Sequence, residues 1–242
     1  MRETIEVVRL AEAGERLALD GDQIRLPLPG GEGRALRLSL RPGDEPLAIY
    51  IASLSPRMLA LTGEVADGWL GTSFVPEGAR SSMDALAEGA ARSGRTLADL
   101  DLCQGAEVAF ARDEAELHEM LQRRKAGLAF SLGGMGSAQT NFYNAAYARQ
   151  GFADVAAESQ ALWLAGRRDA AASVIPDSMV MATTLLGTES QVADRLRVWA
   201  DVGITQVRLY PAGETLDERL DTLGRALDLV RGLESSRPRE NK

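Results

Sequence analysis

Short apolar runs alternate with longer amphipathic stretches along most of the chain. "LAIYIA" (47–52), "DGWLGTS" (67–73), "LDLCQGAEVAF" (100–110) and "ITQVRLY" (204–210) have the length and composition of strands. The first is continuous, as expected of a strand buried on both faces. Helical patterns follow each: "SPRMLALTGEVA" (55–66), "GARSSMDALAEGAARSGR" (78–95), "DEAELHEMLQRRKAGLAFSL" (113–132) and "TLDERLDTLGRALDLVRGL" (215–233). A further helix is expected over 187–203, with Thr188 and Gln191 at capping-box spacing and Gly203 as its stop. Strand–helix alternation predicts an α/β fold with a parallel sheet and right-handed crossovers. Four such units are legible.

The rest of the chain breaks this rhythm. Residues 2–15 read as an amphipathic helix stopped at Gly14. Residues 21–46 are rich in Gly and Pro and read as irregular, with "ALRLSL" (35–40) a candidate short strand. The segment 133–182 opens on a "GGMGS" turn and continues as short Ala-rich helices. "ESSRPRENK" (234–242) reads as a polar tail. No linker divides the 242 residues, so a single domain over 1–242 is expected.

Composition narrows the chemistry. A net charge of −8 disfavours nucleic acid and anionic membranes as partners. No run of 18 apolar residues exists to span a bilayer. With one cysteine, Cys103, and one histidine, His118, there is no intrachain disulfide and no Cys/His zinc set. No metal is expected, and the cytoplasm is the expected compartment. His118 sits in a charged helical pattern and reads as a surface residue; Cys103 reads as core. No acid–base pair or nucleophile motif identifies a catalytic residue.

The junction "IASLSPRML" (51–59) carries the clearest candidate chemistry. Ser55 is suited to cap a helix whose first residue is Pro56. The free N–H groups of that helix start would face the carboxyl end of the preceding strand, where α/β folds bind ligands. Its dipole favours a phosphate or carboxylate there, and Arg57 could add charge. An ordinary helix cap explains the same residues. The next strand exit, "WLGTS", adds Gly71, Thr72 and Ser73, which suit a phosphate cradle or an ordinary polar loop. Asn141, Tyr143 and Asn144 of "TNFYN" could line a pocket, or cap and pack.

"IYIASLSPRMLALTGEVADGWLGTSFVPE" resembles the luciferase-like monooxygenase superfamily, which is built on the (β/α)8 barrel. "LGGMGSAQTNFYNAAYARQGF" and "QALWLAGRRDAAASVIPDSMV" are similar to its methylene-tetrahydromethanopterin reductase-like branch, whose members commonly use the deazaflavin coenzyme F420, and "LLGTESQVADRLRVWADVGITQVRLYPAG" is similar to the superfamily's last helix–strand unit. The resemblance implies a flavin- or F420-dependent oxidoreductase that moves hydride between the coenzyme and a small organic substrate. FMN with oxygen, as in a monooxygenase, is the alternative. It also implies that the turns after the fifth and sixth barrel strands contact the coenzyme's phosphate region. Carried over by position, these are Ala52, Ser53, Leu54 and Ser55, then Gly71 and Thr72. Two departures stand out: Ser-Leu-Ser replaces the glycine common in the first turn, and "TSFVPE" has no lysine where some relatives place one. Residues 2–26 resemble the segment after the fourth barrel strand. The expected fold is therefore a partial (β/α)8 barrel, strands 5–8 with a helical insertion. Such a chain would be incomplete, would close with a second copy or a separate N-terminal half, or would be a non-catalytic remnant.

Overall fold

Strand β5 (Asp101–Phe110) organises the sheet, because three other strands pair with it, all in parallel. The chain reaches it through helix α1 (Arg2–Glu12), a small antiparallel hairpin of β1 (Leu19–Asp20) and β2 (Arg25–Leu26), strand β3 (Tyr50–Ile51), helix α2 (Pro56–Val65), strand β4 (Gly68–Gly71) and helix α3 (Arg80–Arg92). Beyond β5 come α4 (Glu114–Gly133), α5 (Phe142–Tyr147), α6 (Ala153–Leu164), α7 (Arg168–Ser173) and α8 (Asp177–Thr183). Strand β6 (Leu185–Gly187), α9 (Glu189–Asp201), β7 (Gln206–Pro211) and α10 (Leu216–Ser236) complete it. This computed structural model describes residues 1–39, 43 and 45–236.

The register fixes how the strands share β5. Cys103 and Gln104 pair with both β4 and β7, and Val108 pairs with both β6 and β7. A residue has only two edges, so β7 runs along one edge of β5. Strands β4 and β6 follow one another along the other. Strand β3 lies outside β4.

One face of this sheet is covered. Leu102, Ala106, Val108 and Phe110 alternate along β5 and pack with Leu59, Leu86, Trp199 and Ala226 from α2, α3, α9 and α10. Each large side chain buried there contributes roughly 1.5–3 kcal/mol. Helices α4, α6, α7 and α8 build a second core around Leu128, Leu132, Ala156, Ala171 and Met179. It meets the sheet through Ala109 and Leu186, near the carboxyl ends of β5 and β6. The other sheet face carries polar side chains: Tyr50 bonds to Asp101, and Gln206, Arg208 and Tyr210 are exposed along β7.

The alternation of strands and helices is as read from the sequence, with four differences. Strand β3 is two residues long, and Leu47 is 65% exposed, so "LAIYIA" is not a strand buried on both faces. The described part of "ALRLSL", residues 35–39, forms no strand; its backbone is tied by Leu17 N–H to the Leu36 carbonyl at 2.7 Å and by Arg16 to the Ala35 carbonyl at 3.3 Å. The hairpin β1–β2 and the strand β6 were not legible: two or three residues give no periodicity to read. The segment 133–182 does form short helices, and the capping box at Thr188 has both of its hydrogen bonds. Gly14, Gly94 and Gly203 take positive φ where their helices stop. Of the polar tail, 237–242 lie outside the described residues, and 234–236 continue α10. Among the described residues no helix is long and apolar enough to cross a membrane, and no group of three His, Cys, Asp or Glu side chains could hold a metal.

Candidate functional site

A recess of about 290 Å³ opens at the carboxyl ends of β3 and β4. It is lined by Ala52, Ser53, Leu54, Ser55, Met58 and Thr72, with Phe142 and Tyr143 of α5 opposite. Five of the six residues singled out from the sequence thus meet on one wall.

The first turn is built by the helix it starts. Ser55 is extended (φ −82°, ψ 147°) and its hydroxyl accepts from the Met58 N–H at 3.4 Å, while Leu59 N–H closes on the Ser55 carbonyl at 2.8 Å. Pro56 has no N–H to satisfy. The N–H groups of Ser55 and Arg57 are left without an intrahelical acceptor, at the positive end of the helix dipole. Ser53 is placed differently. It is buried, its carbonyl accepts from Trp69 Nε1 at 3.0 Å, and its hydroxyl lies 2.8 Å from that of Thr62. Thr62 gives its single proton to the Met58 carbonyl, so Ser53 must donate to Thr62. Ser53 therefore holds the turn on α2 and has no proton left for a ligand.

The second turn diverges at Gly71, which does not line the recess. A Cβ there would strike the Gln104 side chain, 2.5 Å from its Cδ, so any other residue needs the buried Gln104 amide to shift. Gln104 is fully buried, and neither end of its amide has a hydrogen-bond partner among the described residues. Thr72 is exposed to the recess. Ser73 then adopts φ +51°, a left-handed conformation uncommon for a residue other than glycine.

What holds Ser73 there comes from the helical insertion. Between α5 and α6 the chain kinks at Gln150 and Gly151, the latter at φ +101°. Gln150 is buried and donates to the carbonyls of Ser73 at 2.7 Å and Ala146 at 2.9 Å. It also accepts from Val75 N–H at 2.7 Å. Its neighbour Arg149 donates to the Leu54 carbonyl at 2.8 Å. Consecutive residues of one kink thus fasten both turns. Arg149 has no carboxylate partner among the described residues, and partial desolvation pushes its pKa below the usual arginine value. Burial pushes the Tyr147 phenol up, opposed by a hydrogen bond with Ser73.

Sequence reasoning missed Arg149 and Gln150, because nothing local ties "ARQGF" to turns some 75 to 95 residues away. Asn141 and Asn144 prove structural. Asn141 accepts from Tyr143 and Asn144 N–H groups at 3.0 Å, and Asn144 donates to the Leu132 and Ala156 carbonyls. His118 is exposed, 3.8 Å from Asp177, and Cys103 is buried.

The pattern that defines the luciferase-like monooxygenases matches residues 1–206. The chain belongs to that family. Among the family's curated proteins it is 34% identical over 213 residues to Rv3520c of Mycobacterium tuberculosis, whose name assigns it provisionally to the coenzyme F420-dependent oxidoreductases. That match covers 85% of this chain and 60% of the relative. The 5,10-methylenetetrahydromethanopterin reductase of Methanolobus tindarius is 27% identical, over 93% of this chain and 64% of its own. Among solved folds, the coenzyme F420-dependent tetrahydromethanopterin reductase of Methanopyrus kandleri superposes with a TM-score of 0.65 at 21% identity, covering 95% of this chain and 60% of that one. The chain thus spans about three-fifths of the length of these luciferase-like relatives, and at such identity the structural likeness speaks for the fold alone.

Proposed function

We propose that this member of the family binds coenzyme F420 and transfers hydride between it and a small organic substrate. The observation that carries the reading is the convergence of both turns, Ala52–Ser55 and Thr72, on one recess beside the start of α2. The donors there suit a phosphate: two free backbone N–H groups and the Thr72 hydroxyl, with the guanidinium of Arg149, which does not itself line the recess, hydrogen-bonded to the Leu54 carbonyl. Arg149 supplies the cation that the sequence after Thr72 lacks. Met58 and Phe142 give the recess an apolar side, and Ser53 and Gln150 keep the two turns in register. When bound, the deazaflavin supplies the hydride-accepting and hydride-donating ring. The names of the F420-dependent relatives support this choice of coenzyme. In the same reading β3, β4, β5 and β7 are the last four strands of a (β/α)8 barrel, with α4–α8 and β6 as the elaboration before its last helix and strand.

Spectral titration of the purified protein with F420 and, separately, with FMN tests the proposal. Saturable F420 binding, tighter than FMN, is expected. Tighter FMN binding with oxygen consumption would instead make it a monooxygenase. Binding of neither coenzyme would leave the reading without its core.

A further inference from the structure

A second cavity, of about 320 Å³, adjoins the first and shares Thr72 and Tyr143 with it. It lies on the polar face of the sheet, over Gly105, and two guanidiniums enter it. Arg124 reaches in from α4, with Nε 3.3 Å from a carboxylate oxygen of Glu107. The angle of that ion pair leaves the buried Nε–H without a hydrogen bond. Arg208 reaches in from β7. Its contacts are the Gly71 carbonyl at 3.4 Å and the Tyr210 ring, 5.9 Å from the centroid, and it has no carboxylate partner among the described residues.

Both cations occupy room that a missing side chain leaves. A Cβ at Gly105 would lie 3.2 Å from Arg208 Nη2 and 2.9 Å from the Tyr210 ring; one at Gly127 would collide with Arg124 Nη1. The hydroxyls of Tyr143 and Tyr210, which also line the cavity, have no hydrogen-bond partner among the described residues. Two guanidiniums against one carboxylate leave a net charge of +1. That balance matches a monoanion; a phosphate dianion would stay half compensated. A carboxylate accepts two parallel N–H bonds from one guanidinium, which Arg208 has free to give.

We propose that this cavity is a subsite for the carboxylate of a small carboxylic acid substrate, held by Arg208 with Arg124 as second donor. The shared wall at Thr72 and Tyr143 directs the rest of such a substrate toward the coenzyme recess. The substrate role rests on the coenzyme reading above; the anion binding does not.

The test measures binding of pyruvate, its neutral isostere diacetyl and inorganic phosphate to the purified protein by saturation-transfer NMR. The F420 affinity of each variant is measured in parallel. Pyruvate is expected to bind saturably and diacetyl not. Arg208→Met should weaken pyruvate about tenfold or more, the usual scale for losing a charged hydrogen bond, and leave F420 affinity within about twofold. Glu107→Gln, which raises the cavity charge by one, should tighten pyruvate binding and keeps the test decisive if Arg208→Met does not fold. Absent pyruvate binding, binding indifferent to both substitutions, or phosphate bound more tightly than pyruvate would overturn the subsite. Loss of F420 binding to the unaltered protein, with pyruvate binding intact, would sink the coenzyme reading alone.

Discussion

Gln150→Leu is the sharpest test of how the two turns are held. The side chains are similar in size, so the substitution opens little cavity and removes mainly hydrogen bonds. Three are lost: from Val75 N–H, and to the carbonyls of Ser73 and Ala146. Val75 is 2% exposed, so its N–H is stranded without water, at a cost of about 1–3 kcal/mol. The Ser73 carbonyl adds about 1 kcal/mol. Release of Ser73 from its left-handed conformation returns about 1 kcal/mol. The net loss is about 1–3 kcal/mol, which for a chain of this length lowers Tm by about 2–12 °C. Circular dichroism melts of the two proteins measure this directly. The coenzyme reading adds a second outcome: at a temperature where the variant remains folded, relaxation of the Thr72–Ser73 turn weakens F420 in a spectral titration. A Tm within 2 °C of the parent would refute the clamp, because a buried donor at Val75 would then have found another acceptor at no cost.

The other predictions concern single side chains of the same turns and one ion pair. Ser53→Ala should change F420 affinity by less than about twofold, while Thr72→Ala weakens it about tenfold, since only Thr72 has a proton to give; equal losses in titration would contradict this assignment. Gly71→Ala should destabilise by about 1–3 kcal/mol through its clash with Gln104, and Gln104→Ala should rescue it. A double-mutant cycle in urea with no coupling between the two would rule out the packing role. Arg195 holds the Glu77 carboxyl below its ordinary value of 4.5, and Glu77 is half-exposed, so the pair contributes less than about 1 kcal/mol. A lowered carboxyl pKa stabilises above 4.5 and ceases to do so as pH falls from there through the lower folded-state value. Melts of Glu77→Gln and the parent should therefore differ near neutrality and converge in that acid range; a gap independent of pH would count against the linkage.

Why some of this was legible in the sequence and some was not follows from the range of each interaction. The cap at Ser55 and Pro56 and the box at Thr188 and Gln191 are closed within one helical turn, so residue types at fixed spacing declare them. Strands β5 and β7 are long enough to read, whereas β6, at three residues, borrows its conformation from the edge of β5. Strand β3 shows the opposite error: six apolar letters promised a buried strand, but only Tyr50 and Ile51 pair. At the site, position in sequence brought five of the six residues to one recess, and the fold gives them different surroundings. A serine, a glycine and a threonine at strand ends look alike as letters. The fold separates them by what each already touches: Ser53 has spent its proton on Thr62, a Cβ at Gly71 would meet Gln104, and the Thr72 hydroxyl faces the recess without a partner among the described residues. The ties between the two turns come from Arg149 and Gln150, in a kink at Gly151 far from them in sequence. The recess is thus assembled across the chain: the strand ends supply its wall, and the kink in the helical insertion ties both of its turns together.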